Sequence, residues 1–188
     1  MELMTREDFQ SLLDGPNSNY YLGRWEYFSK VIELIQNLEL VKVCELGPGF
    51  MPIVKDADVM LSPNDDHFGK PDLVKGKTII HDATVKPWPI RDKEYDLLIA
   101  LQVLEHLDSK QTRAFREIMR VSKRAVLSLP LGWQGGEEKP THRAHRDIDL
   151  ELIHDWTLNV EPTTVIEIPR TGLEFSKGPR LICYWDFE

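Results

Sequence analysis

From Tyr20 to Leu40, apolar side chains recur at Trp25, Phe28, Ile32 and Ile35, with Val31, Leu34 and Leu38 beside them. This is the helical period with a broad apolar stripe, so the leading segment is expected to form a helix that enters the core. The pattern then changes. Val41 to Leu46 is a short apolar run closed by Gly47, Pro48 and Gly49, which predicts a strand followed by a tight loop. Further short apolar runs at Asp58 to Leu61, Thr78 to His81, Tyr95 to Leu101 and Ala125 to Leu129 are also expected strands. The runs YDLLIAL and AVLSL are mostly continuous rather than alternating, as in parallel strands covered on both faces, and this calls for helices between them.

The stretch Asp108 to Ser122 fits that demand. Asp108 and Gln111 have the spacing of a capping box, and Phe115, Ile118, Met119 and Ser122 recur on one helical face. Asp149, first-turn Glu151 and apolar Leu152, Ile153 and Trp156 mark another helix. The gap between Gly49 and Asp58 is short, with room for about two helical turns. In the tail, Thr164 to Ile168 and Arg180 to Trp185 are β-rich runs joined by a Gly/Pro-containing connector, which predicts an antiparallel hairpin. Strands alternating with helices, then a terminal hairpin, predict an α/β sheet with an antiparallel edge. Ligands in such sheets bind at the carboxyl ends of the strands, near the point where strand order reverses.

A chain of 188 residues is the size of one domain with one site. Its net charge of -8, with no Lys/Arg-rich run, lacks the electrostatic footprint of a nucleic-acid binder. The opening MELMTREDFQ is charged and no run of about 18 apolar residues occurs, so no membrane association and a cytoplasmic location are expected. Cys44 and Cys183 lie inside apolar strand-like runs and are expected to act as small buried hydrophobes. Neither cysteine nor histidine spacing matches a metal motif, so no metal is expected.

The first candidate for chemistry is Cys44-Glu45-Leu46-Gly47-Pro48-Gly49-Phe50 at the end of the first strand. Glycines there let the backbone approach a ligand closely, and the amides that follow can meet a carboxylate. The bland alternative is an ordinary strand-to-helix turn. A dinucleotide loop needs a third glycine, yet position 52 is Pro52, and no Gly-Lys-Ser/Thr follows to make a phosphate loop. Instead Glu45 precedes the first glycine by two, where its carboxylate could hold an ammonium directly or through water.

With these residues the sequence resembles the class I S-adenosylmethionine-dependent methyltransferases, especially the broad type 11 group. ELGPG at 45–49 matches the acid-x-Gly-x-Gly of their first motif, and His81-Asp82-Ala83 matches the Asp-containing turn after strand three. Pro87-Trp88-Pro89 and the run from Tyr95 to Leu107, which ends in Val103-Leu104-Glu105-His106-Leu107, match later pieces. The resemblance implies a Rossmann-like fold: a mostly parallel seven-stranded sheet with an antiparallel C-terminal hairpin. It implies one domain over 1–188, made of a leading helical segment (1–40), a cofactor-binding half (41–130) and a part carrying a substrate loop, helix and hairpin (131–188). It also implies that S-adenosylmethionine is the cofactor. Gly47, Pro48 and Gly49 would line its methionine and ribose part, Glu45 would face the ammonium, Asp82 and Ala83 would meet the adenine, and Gln102 would lie beneath the sulfonium. One departure is that the strand-two acid, which usually grips the ribose, is replaced by Ser62, a weaker partner, with Asn64 and Asp65 nearby.

Methyl transfer from a sulfonium is an in-line displacement that depends chiefly on alignment. A hydroxyl acceptor also gains from a base, and the candidates are His106, His142 and His145. His106 could equally fix the strand-to-helix turn, and the other two lie in a polar, Gly-rich loop from Gly132 to Arg146 that could simply be solvated. Arg143 and Arg146 in that loop could grip an anion. Tyr20, Tyr21 and Trp25 sit where similar proteins lid the cofactor, although aromatics at helical spacing are also ordinary core. The expected function is methyl transfer to a small-molecule acceptor, on an oxygen of a sugar or carboxylate. The competing readings are a methyltransferase-like binding or scaffold protein without catalysis and, disfavoured by Pro52, a nicotinamide enzyme. A homodimer through the terminal hairpin is a further expectation.

Overall fold

The computed structural model describes residues 1–15, 18–63, 74–132, 148–169 and 179–188. Seven strands form one sheet in the order β3-β2-β1-β4-β5-β7-β6. They are β1 (Val43–Leu46), β2 (Asp58–Leu61), β3 (Thr78–Ile80), β4 (Tyr95–Leu101), β5 (Ser122–Pro130), β6 (Thr164–Ile168) and β7 (Arg180–Asp186). The first five pair in parallel, while β7 lies antiparallel between β5 and β6. The expected hairpin is therefore present, with its second strand on the inside. Its residues explain that order: Leu181, Ile182, Cys183, Tyr184 and Trp185 are all buried, whereas Val165 in β6 is exposed. The more apolar strand takes the position covered on both faces.

Alternate residues of each strand feed two cores. Val43, Leu97, Ile99, Val126, Ile182 and Tyr184 face one way, toward α1 (Arg6–Leu13), α2 (Ser18–Tyr21) and α3 (Trp25–Ile35). Cys44, Leu98, Ala125, Leu127, Cys183 and Trp185 face the other way, toward α4 (Gln111–Val121) and α5 (Leu150–Trp156). Both cysteines are buried as small apolar side chains, as anticipated. The break after Tyr21 divides the anticipated leading helix into α2 and α3, with Gly23 at φ 72 in the connection.

Two local expectations are corrected. No helix forms between β1 and β2, because Pro52 removes a backbone donor and the β-branched Ile53 and Val54 disfavour a short helix. The chain's opening residues cover this segment instead: Met4 N–H donates to the Ile53 carbonyl at 2.8 Å and Lys55 N–H to that of Glu2 at 2.8 Å. Nor do Asp108 and Gln111 form a capping box. Asp108 and Ser109 adopt left-handed φ of 41° and 62°, α4 begins at Gln111, and Lys110 precedes it without a side-chain cap. At its far end α4 runs directly into β5, where Ser122 Oγ donates to the Ile118 carbonyl at 2.8 Å. Among the described residues α4 is the one helix that connects two parallel strands.

Candidate functional site

The chain leaves β1 toward β2 and β3 on one side, then returns to β4 on the other, so strand order reverses between β1 and β4. The residues singled out from sequence gather at the carboxyl edge around that point. Gly47 follows β1 with φ 57°, and a Cβ placed on it would sit 3.3 Å from Val103 Cγ2 just beyond β4. Gly49 has φ 73°, and its Cβ would lie 3.3 Å from the Tyr21 hydroxyl and 3.6 Å from Tyr20. Both positions need left-handed backbone in a space already bounded by neighbours, which is why glycine fits them. Pro48 lies between the two.

Ser62 follows β2 at an exposed position. Beyond β3, Asp82 Oδ1 accepts the Thr84 amide and hydroxyl, each at 2.8 Å, while Ala83 is buried and its carbonyl accepts Trp88 Nε1 at 3.2 Å. Gln102 directly follows β4, with φ 57°. Ser128 in β5 holds it there: its Oγ accepts the Gln102 amide at 3.0 Å and the Gln102 side-chain Nε2 at 3.2 Å. The eight proposed cofactor-side residues thus occupy the ends of four adjacent strands, β3, β2, β1 and β4.

Glu45 lies one layer deeper, with 2% of its surface exposed. Its Oε1 accepts the Val54 amide at 2.6 Å, which ties β1 to the segment that replaces the expected helix. Burial pushes its carboxyl up to about 8, with the Val54 and Ile53 amides opposing that rise. Its side chain also lines a cleft with Tyr20, Tyr27, Phe28, Gly47 and Pro48, so a cation entering there would meet it. Across the cleft mouth, Tyr21 Oη accepts the Phe50 amide at 3.0 Å and holds α2 against the glycine loop. Tyr20 and Tyr21 therefore abut this loop, whereas Trp25 packs on Phe9 with ring centres 5.1 Å apart.

Residues 57–127 match the family model described as a methyltransferase domain. The chain has the class I methyltransferase fold. Among solved structures it is similar to the N-methyltransferase NodS from Bradyrhizobium japonicum, at 12% identity and a TM-score of 0.60 over 88% of this chain and 96% of that one. It also resembles the N-terminal domain of EvdMO1, determined in the presence of SAH and D-fucose, at 12% identity and a TM-score of 0.56 over 86% and 81%. A third likeness is to the [4+2]-cyclase SpnF, at 16% identity and a TM-score of 0.62 over 85% and 78%. No curated protein matches the sequence.

Within this methyltransferase fold His106 closes a 3-10 turn (Leu104–His106) after β4 and is exposed at the rim. His142, His145, Arg143, Arg146, Asn64 and Asp65 lie outside the described residues. Sequence reasoning missed a second group at the same edge: Arg24, Tyr27, Glu105 and Arg180. Arg180 opens β7 opposite Pro130 and is 5% exposed; its guanidinium lies 4.4 Å from the Tyr27 ring centre and its Nε donates to Gln102 Oε1 at 3.4 Å. The available signal was a charged residue leading an otherwise apolar strand, RLICYW. Among the described residues no cluster of His, Cys, Asp or Glu is arranged to hold a metal, and no helix is long and apolar enough to cross a membrane.

Proposed function

We propose that this chain is an S-adenosylmethionine-dependent methyltransferase acting on a small molecule, at an oxygen of a sugar or carboxylate. The observation that carries this reading is the left-handed glycine pair at the strand-order reversal, bounded by Val103 and Tyr20–Tyr21, with Asp82 and Gln102 on the neighbouring strand ends. The lack of side chains at both glycines leaves the loop backbone bare for a ligand, and Glu45 lines the adjoining cleft, where an ammonium group would draw its otherwise protonated carboxyl into the ionised form. Gly47, Pro48 and Gly49 would hold the methionine and ribose part, Asp82 and Ala83 the adenine, and Ser62 a ribose hydroxyl. When bound, S-adenosylmethionine supplies a methyl group on a sulfonium, which a correctly placed nucleophile displaces in line.

The protein's part is mainly positioning. Gln102 is fixed by Ser128 and Arg180, so the surface beneath the reacting centre is held in place. A carboxylate acceptor needs no base. For a hydroxyl acceptor, His106 at the rim, or His142 and His145, would take the proton. The net charge of -8 favours a small acceptor over nucleic acid, and a homodimer would form through β6, the sheet's outer strand.

A second reading, a binding or scaffold protein, draws on three features. Ser62 replaces an acid, the Phe50 amide is engaged by Tyr21, and no helix follows the glycine loop. Isothermal titration tests the shared part: S-adenosylmethionine and S-adenosylhomocysteine bind and NAD does not. Binding of NAD alone overturns both readings. Transfer of labelled methyl to any member of a panel of sugars and organic acids establishes the enzyme, whereas cofactor binding without transfer to any of them favours the scaffold.

A further inference from the structure

Glu45 is a carboxyl without a cation. It is 2% exposed, its Oε1 accepts the Val54 amide at 2.6 Å, and among the described residues it makes no ion pair. The groups around it explain why. In the sheet its register neighbours are Val59 of β2 and Ile99 of β4, and Leu101 of β4 also lines its cleft. The titratable groups that α2 and α3 bring to that cleft are the Tyr20 and Tyr27 hydroxyls, next to the Phe28 ring. Cys44, which precedes it in β1, is a buried thiol that desolvation keeps neutral. The cations on the flanking segments are engaged elsewhere: Arg24 with the Tyr20 carbonyl and the Tyr27 hydroxyl, and Lys55 with Glu2 and Asp8 at 2.7 and 2.9 Å. A carboxylate in these surroundings lacks the opposite charge that would offset its desolvation, so the proton stays on.

The proposed function, on which this inference rests, brings a cation to this place in the ammonium group of S-adenosylmethionine. An opposite charge close to a carboxyl favours its ionised form. We infer that the ammonium group ionises Glu45 as the cofactor binds, so that loading the cleft sends one proton to solvent. The balance is simple: the free protein with Glu45 as a neutral acid and the free ligand with its ammonium become a complex holding a carboxylate against that ammonium, plus one proton in solution. No bond of the ligand changes. The Val54 and Ile53 amides stabilise the anion once it forms. Because a proton is a product of binding, affinity rises with pH as long as the free protein keeps that proton and the ligand amine keeps its own. Burial holds the acid form of the free protein up to about 8, so cofactor loading depends on pH throughout the mildly acidic and neutral range.

The test is calorimetric titration of the full chain with S-adenosylhomocysteine and with its analogue lacking the amino group. Runs from pH 5.5 to 7 in paired buffers of different ionisation enthalpy count the protons. The expected result is release of about one proton per S-adenosylhomocysteine bound, with affinity rising about tenfold per pH unit. The analogue is expected to bind without release and with a flat pH profile. Glu45→Gln, which keeps an oxygen for the Val54 amide, is expected to bind S-adenosylhomocysteine more weakly at pH 7, with neither the proton release nor the slope. Binding by the native protein without release, equal release on binding the analogue, or release that persists in Glu45→Gln would overturn the coupling. If Glu45→Gln proves unfolded, the comparison of the two ligands on the native protein decides alone, and if the analogue binds too weakly to measure, Glu45→Gln decides. Failure of S-adenosylhomocysteine to bind the native protein at any pH overturns the proposed function and this inference with it, whereas binding without proton release overturns the inference only.

Discussion

Gly47 shows how one position can serve both the fold and the site. Its φ of 57° costs a side-chain-bearing residue about 1–2 kcal/mol, and a Cβ there would press on Val103 at 3.3 Å. Gly47→Val is therefore expected to lower unfolding free energy by about that amount and also to abolish S-adenosylmethionine binding, because its branches enter the cradle. Urea denaturation and calorimetric titration on the same sample separate these effects, and native affinity in a folded variant would move the pocket elsewhere. Tyr21 makes a different kind of contribution. Its hydroxyl accepts the Phe50 amide at 3.0 Å while the residue is 1% exposed, so Tyr21→Phe removes the acceptor without changing the ring packing. The Phe50 amide is only half-buried, so the expected cost is about 0.5–1.5 kcal/mol, the usual net worth of such a bond, measurable as a lower urea midpoint at unchanged slope.

The elements differ in how openly the sequence announced them. β4 and β5 were legible because strands buried on both faces have to be continuously apolar, and α5 was legible because Asp149 is a cap in sequence and in space, accepting the Leu152 amide at 2.8 Å. Asp149→Ala should cost about 1 kcal/mol and lower the thermal midpoint, a change that circular dichroism would detect. The β1–β2 connection was not legible, since its length allows a helix and the residues that cover it, Leu3 and Met4, lie some fifty positions earlier. The start of α4 was misjudged for a related reason: two left-handed residues after the 3-10 turn set the helix entry, and no propensity rule places Asp108 or Ser109 there. The glycine loop was legible because its chemistry is local. The arginine group was not, because Arg24 and Arg180 meet only once β7 is inserted beside β5.

At the scale of the molecule, the two edges of the parallel sheet titrate in opposite senses. At the amino edge Asp96 accepts the Val41 and Lys42 amides at 2.8 and 2.9 Å and pairs with Lys123 at 2.8 Å, while Glu94 pairs with Lys42 at 2.6 Å. These partners hold both carboxyls down near 2, the Lys123 bond being the largest cause for Asp96 and the Lys42 bond for Glu94. Their folded values lie below the unfolded ones, so the stability they give is present above about pH 4 and is lost as the pH falls through 2. Near the carboxyl edge Glu45 is raised to about 8 by burial, so the fold favours its protonated form. Stability tied to that proton is full below the ordinary glutamate value and drains away as the pH climbs through 8. The chain is therefore expected to be most stable in mildly acidic solution, with the alkaline limb due to one buried residue. Glu45→Gln keeps an oxygen to accept the Val54 amide but cannot ionise, so it should flatten the loss between pH 5 and 8.5 while leaving the acid limb intact. Asp96→Asn should blunt the acid limb and leave the alkaline one. Urea denaturation from pH 2 to 9 on the three proteins measures this, and a native alkaline limb that survives in Glu45→Gln would show that the Glu45 carboxyl is not held protonated by the fold.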